Sequence, residues 1–189
     1  MDKAKELLRA SEQVMGILHR RQIDAVVIGA VAMAAHHYVR YTHDLDLGVN
    51  ADVQSLRTIT SDLCEAGFHA ELREPDGQDP LGGVIDVTGP FGLLQIVSFA
   101  DRFPAVIKDA LQAASITLCP GGLLKLVPLP QLVALKLYAG GLKSKADLVE
   151  LLRRNPDADL DEIAETCERY RLHGLDEVLC EITPPLGEK

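Results

Sequence analysis

The sequence predicts an α/β fold: a sheet with flanking helices over residues 1–128, then a helical part over residues 129–189 packed on that core. Three observations predict it. Short apolar runs bounded by Gly and Pro alternate with segments of helical period through the first two thirds of the chain. From Pro130 onward only the helical period remains. And 189 residues, 47% of them hydrophobic and 25% charged, are enough to bury a real core in one domain.

The elements follow in order. Residues 2–21 place Leu7, Leu8, Val14, Ile17 and Leu18 among Lys, Glu and Arg, the spacing of an amphipathic helix. IDAVVIGA is a short strand ending at Gly29, and VAMAAHHY a helix. Residues 43–49 form a strand, and Asn50 is placed to cap a helix from Asp52 to Ala66, which Gly67 closes. FHAELRE is a strand, and EPDGQDPLGG an exposed loop. GGVIDV and LLQIVSF are strands joined by the hairpin signal TGPFG. FPAVIKDALQAA is a helix, and ITLCPGGLLKLV a second small hairpin. Four helices follow, in QLVALKLYAG, SKADLVELLRR, DLDEIAETCERY and the segment before TPPLGEK. No internal repeat or low-complexity segment interrupts them.

Composition excludes several functions. A net charge of −9 repels phosphate backbones, so no extended nucleic-acid surface is expected. Four per cent aromatic residues and no Trp argue against a base-stacking platform. No run spans a bilayer, and the charged start MDKAKELLRA is no signal peptide. Cys64, Cys119, Cys167 and Cys180 form no CxxC pair, so they read as buried, reduced thiols of a cytoplasmic protein, with no zinc.

The run YTHDLDLGVN carries the chemistry. In a strand Asp44 and Asp46 share one face while Leu45 and Leu47 share the other. Two parallel carboxylates repel unless a cation lies between them, and hard divalent ions take such oxygens while keeping positions for water and phosphate. The alternative is a strand whose exposed face carries solvated aspartates. Upstream, Gly29 lies between a strand and a helix start, where free backbone N–H groups and a missing Cβ suit phosphate; it is otherwise a plain tight turn.

The run IGAVAMAAHHYVRYTHDLDLGV resembles the polymerase-β-like nucleotidyltransferases, closest to their minimal and AbiEii-type (abortive-infection toxin) branch, with the pattern hGG-x-A… R-x-T-x-D-h-D-h. LPQLVALKLYAGGLKSKADLVELL is similar to that group's later lysine-bearing helix followed by a helix with an aspartate. The resemblance implies a mixed sheet, Mg²⁺ (or Mn²⁺) on Asp44 and Asp46, and Gly29 and Ala30 bordering the triphosphate of an NTP. It also implies Lys136 near a phosphate, with Arg40 and Thr42 shaping the loop before the metal strand. Read from the residues alone, Lys136 is equally a snorkelling surface lysine. Asp147 reads as a solvated helix residue or a partner of Lys143. His36 and His37 end a helix and lack a second histidine at metal spacing.

Two departures from the family pattern stand out. Ala30 replaces a Gly or Ser at the turn. Gln95 stands where the family carries a third carboxylate, and an amide is no general base. If the TGPFG turn is symmetric about Pro90 and Phe91, Asp86 lies across from Gln95 and shares its face. Asp86 is then the candidate third catalytic carboxylate; the alternative is an exposed strand residue. Two functions are expected. One is transfer of a nucleoside monophosphate from a Mg²⁺-bound NTP to a hydroxyl on a small molecule, protein or RNA, in a toxin–antitoxin setting with an antitoxin-like partner. The other is a binding or regulatory module of the same fold without turnover. A plain interaction protein is the third reading.

Overall fold

The computed structural model describes residues 3–40, 42, 44–77 and 79–182. Expectations touching Asp2, His43, Gln78 and residues 183–189 lie outside the described residues. The fold is a mixed six-stranded sheet with helices on both faces. In chain order the elements are α1 (Lys3–Arg20), β1 (Ala25–Ile28), α2 (Gly29–Ala35), β2 (Asp44–Val49), α3 (Val53–Glu65), β3 (His69–Arg73), β4 (Gly83–Gly89), β5 (Gly92–Ser98), α4 (Pro104–Ala113), β6 (Lys125–Leu126), α5 (Leu129–Ala139), α6 (Gly141–Arg153), α7 (Leu160–Arg169) and α8 (Leu175–Ile182).

The sheet order is β3-β4-β5-β2-β1-β6. β3, β4 and β5 pair antiparallel, β5 and β2 parallel, β2 and β1 antiparallel, and β1 and β6 parallel. The hairpin turns about Pro90 and Phe91, so Asp86 faces Gln95, as its symmetry predicts. The second expected hairpin is only partly formed. Thr117 bridges Lys125, but Lys125–Leu126 joins the main sheet beside β1 instead of standing alone.

Each face of the sheet buries its own core. On one, Val27, Leu45, Leu47, Ile85, Val87, Leu94 and Ile96 meet Val14 and Leu18 of α1 and Leu56, Ile59 and Leu63 of α3. On the other, Val26 and Ile28 meet α2, α4 and the C-terminal helices through Met33, Ile107, Leu132, Val133, Leu148 and Ile163. The second cover stops short of β4 and β5, where Asp86, Gln95 and Val97 stay partly exposed. That half-open face is the cleft.

Local details correct three expectations. Asp52, not Asn50, caps α3: its carboxylate accepts from the Ser55 N–H at 2.7 Å. Asn50 instead donates to the Pro104 carbonyl at 2.8 Å. α2 begins at Gly29 and ends before His36, because Gly29 turns directly from strand into helix. The four cysteines are free, but only Cys167 is buried; Cys64 and Cys180 are exposed. Among the described residues no helix is long and apolar enough to cross a membrane.

Candidate active site

β2 alternates as its sequence dictates: Asp44 and Asp46 half-buried, Leu45 and Leu47 buried. The core on the opposite face anchors the leucines, so the carboxylates turn into the cleft. At the level of Asp46, one row of register partners crosses the sheet: Ile28, Asp46, Gln95, Asp86, Glu71. Strand spacing therefore separates Asp86 from Asp46 by roughly 9–10 Å of backbone, with Gln95 between them.

Gly29 touches this row directly. Its φ is +66°, and a Cβ there would collide with the Asp46 carboxylate, lying 2.9 Å from Asp46 Cγ. Glycine is thus required twice, for the backbone turn and for the space the carboxylate occupies. The bend and the paired acids lie on the same side of the sheet and in contact. Ala30, one residue on, is buried in α2.

The electrostatics follow from this crowding. Burial, with the neighbouring Asp44 charge adding to it, pushes the Asp46 carboxyl up to about 6, while Lys136 and Arg40 pull the other way. Both cations converge on Asp147, whose side chain is only 5% exposed. Lys136 Nζ lies 2.7 Å and Arg40 Nη1 3.3 Å from its Oδ2. The Tyr38 hydroxyl donates to Oδ1 at 3.5 Å. Asp147 is therefore neither solvated nor a partner of Lys143, as its sequence neighbourhood suggests. It lies on the buried face of α6 with Leu148, Leu151 and Leu152, and it fixes two cations at the edge of the cleft. Lys136 is correspondingly no snorkelling surface residue; its side chain is 16% exposed.

Between α2 and β2, His36 and Thr42 are each held by hydrogen bonds. Asn155 Nδ2 donates to the His36 carbonyl at 2.7 Å, and the His36 ring bonds the Val127 carbonyl at 2.8 Å. Thr42 Oγ1 accepts from the Asp44 N–H at 3.2 Å, holding the start of β2. His36 thus has a structural partner, and His37 is an exposed residue at φ +64°.

Asp86 sits on the expected face, but its carboxylate is engaged. Arg73 grips it with two bonds, Nε to Oδ2 at 2.8 Å and Nη2 to Oδ1 at 3.2 Å, and Gln95 Nε2 donates to Oδ1 at 2.6 Å. Partial burial alone would raise this carboxyl; the Arg73 and Gln95 bonds hold it below its ordinary value. Among the described residues no three His, Cys, Asp or Glu side chains gather as a metal site. The pair alone still fits a hard divalent ion, which is commonly held by one or two carboxylates plus water and substrate phosphates.

Beside Gly29 and Lys136 an apolar recess of about 230 Å³ is lined by Ile28, Leu81, Phe99, Leu135 and Tyr138. The Tyr138 hydroxyl closes one wall by donating to the Pro80 carbonyl at 2.7 Å. Larger recesses lie elsewhere: about 430 Å³ near Arg9, Phe68 and Phe91, about 590 Å³ near Asp109, Glu165 and Arg169, and about 330 Å³ near Asp24, Asn50 and Lys108. Volume does not choose among them; the paired acids do.

Sequence reasoning missed Tyr38 and Arg73 and misread Asp147. A signal existed for Asp147, which falls in helical register with Leu148, Leu151 and Leu152. Arg73 sits diagonal to Asp86 across β3 and β4, visible only once the register is known.

No family model matches the chain, and no curated protein sequence matches it. Solved structures do. An antigenic nucleotidyltransferase-like protein from Paracoccidioides brasiliensis aligns over 87% of this chain and 87% of its own, at 18% identity and a TM-score of 0.52. The antibiotic-resistance factor ANT(2'')-Ia aligns over 96% and 91%, at 15% identity and a TM-score of 0.48. A putative nucleotidyltransferase from H. pylori aligns over 94% and 89%, at 13% identity and a TM-score of 0.41. At such identities the likeness is one of fold: this chain has the mixed α/β fold of nucleotidyltransferase-like proteins.

Proposed function

We propose that this protein is a nucleotidyltransferase, moving a nucleoside monophosphate from a metal-bound NTP to an acceptor hydroxyl. One observation carries the reading: Asp44 and Asp46, the Gly29 bend, Lys136 and Arg40 converge on the half-open face of the sheet. In the reaction the acceptor oxygen bonds to the α-phosphorus as the bond to pyrophosphate breaks, and the hydroxyl proton passes to solvent water.

Asp44 and Asp46 would hold the Mg²⁺ (or Mn²⁺), whose chemistry is to neutralise phosphate oxygens and align the displacement. The chain's own residues do the rest. Gly29 leaves room for the Asp46 carboxylate and lets the backbone approach the triphosphate, with Ala30 contributing only main chain. Lys136 offers its ammonium to a phosphate, and Asp147 keeps Lys136 and Arg40 extended into the site. Thr42 holds the approach to β2. The apolar recess beside Tyr138 takes the nucleobase. Positioning and charge neutralisation supply most of such a rate enhancement.

The net charge of −9 favours a small cationic acceptor over a long RNA. Within the fold, the run RYTHDLDLGV supports the AbiEii-type branch, and with it a cytoplasmic toxin paired with an antitoxin-like protein. Gln95 supports a second reading, a nucleotide-binding module of the same fold without turnover. Release of pyrophosphate from labelled NTPs decides between them. Turnover that disappears in Asp44→Asn and Asp46→Asn supports the enzyme. Mn²⁺-dependent NTP binding without turnover supports the module, and absence of binding defeats both.

A further inference from the structure

Gln95 is the register partner of Asp46 on one side and of Asp86 on the other. Its strand therefore runs between that of Asp46 and that of Asp86, a carboxylate locked by an arginine. The lock is specific. Arg73 binds Asp86 in a two-bond fork, so Asp86 is an anion that only accepts hydrogen bonds. A carboxylate acceptor dictates which end of the neighbouring amide it takes. Nε2 of Gln95 donates to Asp86 Oδ1 at 2.6 Å. The amide oxygen Oε1 is then excluded from the Asp86 side, because two oxygens would repel there.

We propose that the Arg73–Asp86–Gln95 chain is a positioning device that presents Gln95 Oε1 as a neutral third oxygen donor to the cation held by Asp44 and Asp46. This rests on the nucleotidyltransferase reading and refines its metal site. Asp86 is then a positioning residue and not a third metal carboxylate. Serving the metal would require it to leave three hydrogen bonds, those from Arg73 Nε, Arg73 Nη2 and Gln95 Nε2. The Arg73 charge also cancels that of Asp86, so the pair adds no net negative charge to the cleft. The consequence is a site built from two anionic oxygen donors and one neutral one. Such a site holds a divalent ion less tightly than three carboxylates and leans more on the substrate's phosphates for the remaining charge.

Mn²⁺ titration followed by electron paramagnetic resonance tests this, with a non-hydrolysable NTP present and the intact chain in each case. The expected result for Gln95→Ala is a 10–100-fold weaker Mn²⁺ affinity, the range seen when groups that orient or complete a metal site are removed. Asp86→Asn frees the Gln95 amide to rotate, and a smaller loss of several-fold is expected. The double variant Asp86→Asn with Gln95→Glu keeps a donor–acceptor pair between the two strands but moves the charge one strand nearer the metal. It is expected to bind Mn²⁺ more tightly than the wild type. A second readout needs no metal: the Gln95 side-chain amide protons, seen by ¹⁵N–¹H NMR, exchange slowly in the wild type and quickly in Asp86→Asn.

Wild-type Mn²⁺ affinity in Gln95→Ala, with binding lost in Asp44→Asn, overturns this inference and leaves the nucleotide site standing. So does a double variant no tighter than the wild type. Failure of the wild type to bind Mn²⁺ and NTP at all overturns both.

Discussion

Replacing Asp46 with Asn should stabilise the protein at neutral pH. The carboxyl is buried beside Asp44, and its folded-state value is pushed from 3.8 to about 6. At about 1.4 kcal/mol per pH unit, ionising it in the fold costs roughly 3 kcal/mol more than in the unfolded chain. The sign follows from proton binding. Between about pH 4 and pH 6 the folded protein holds this proton and the unfolded chain releases it, so stability falls as pH rises through that window. Above about 6 the full cost is present; below about 4 it is absent. Asn removes the charge and with it the cost. Urea unfolding in the absence of divalent ions should show Asp46→Asn more stable than the wild type by up to roughly 3 kcal/mol at pH 7.5, with the difference gone near pH 4. Mn²⁺ at pH 7.5 should stabilise the wild type and leave the variant unchanged. Equal stability of the two proteins at both pH values, or a variant that is less stable at pH 7.5, would refute the claim that burial, with the Asp44 charge adding to it, penalises the ionised Asp46 carboxylate.

The other predictions concern Gly29, Asp147 and the cysteines. Gly29→Ala combines a left-handed backbone with a Cβ driven into Asp46; a loss of at least about 1–2 kcal/mol in urea unfolding is expected, together with weakened Mn²⁺ binding. Asp147→Ala strands Lys136 and Arg40 without their shared carboxylate; a loss of about 3–5 kcal/mol is expected, and replacing Lys136 with Met in the same chain should recover part of it. Thiol titration of the folded protein should find Cys64 and Cys180 fast and Cys167 inert until unfolding, since burial pushes the Cys167 thiol up to about 11. Equal rates at Cys64 and Cys167 would show that α7 is not packed as described.

What the sequence determined by itself is local or periodic. The two-residue repeat of DLDLGV sends Asp44 and Asp46 to one face whatever the strand's neighbours are. The five residues TGPFG set the register that opposes Asp86 to Gln95, since a short hairpin leaves the chain few ways to pair. Helices such as α1, α3 and α7 are legible because each shows one apolar stripe over several turns. Even Gly29 is legible as a turn.

The tertiary structure decided everything that needs two distant segments to meet. Asp147 looks solvated among Ser, Lys and Glu, and only the packing of α6 beneath the loop after α2 buries it against Lys136, Arg40 and Tyr38. Asn50 and Asp52 are both good caps in sequence, and the nearby Pro104 carbonyl takes the first. Gln95 reads as a missing acid until β3 brings Arg73 alongside Asp86 and engages that carboxylate in a two-bond ion pair. Local preferences are worth about 1 kcal/mol or less per residue and are printed in the chain. The ionic partnerships of this cleft depend on burial and on through-space distance, which a linear sequence does not contain.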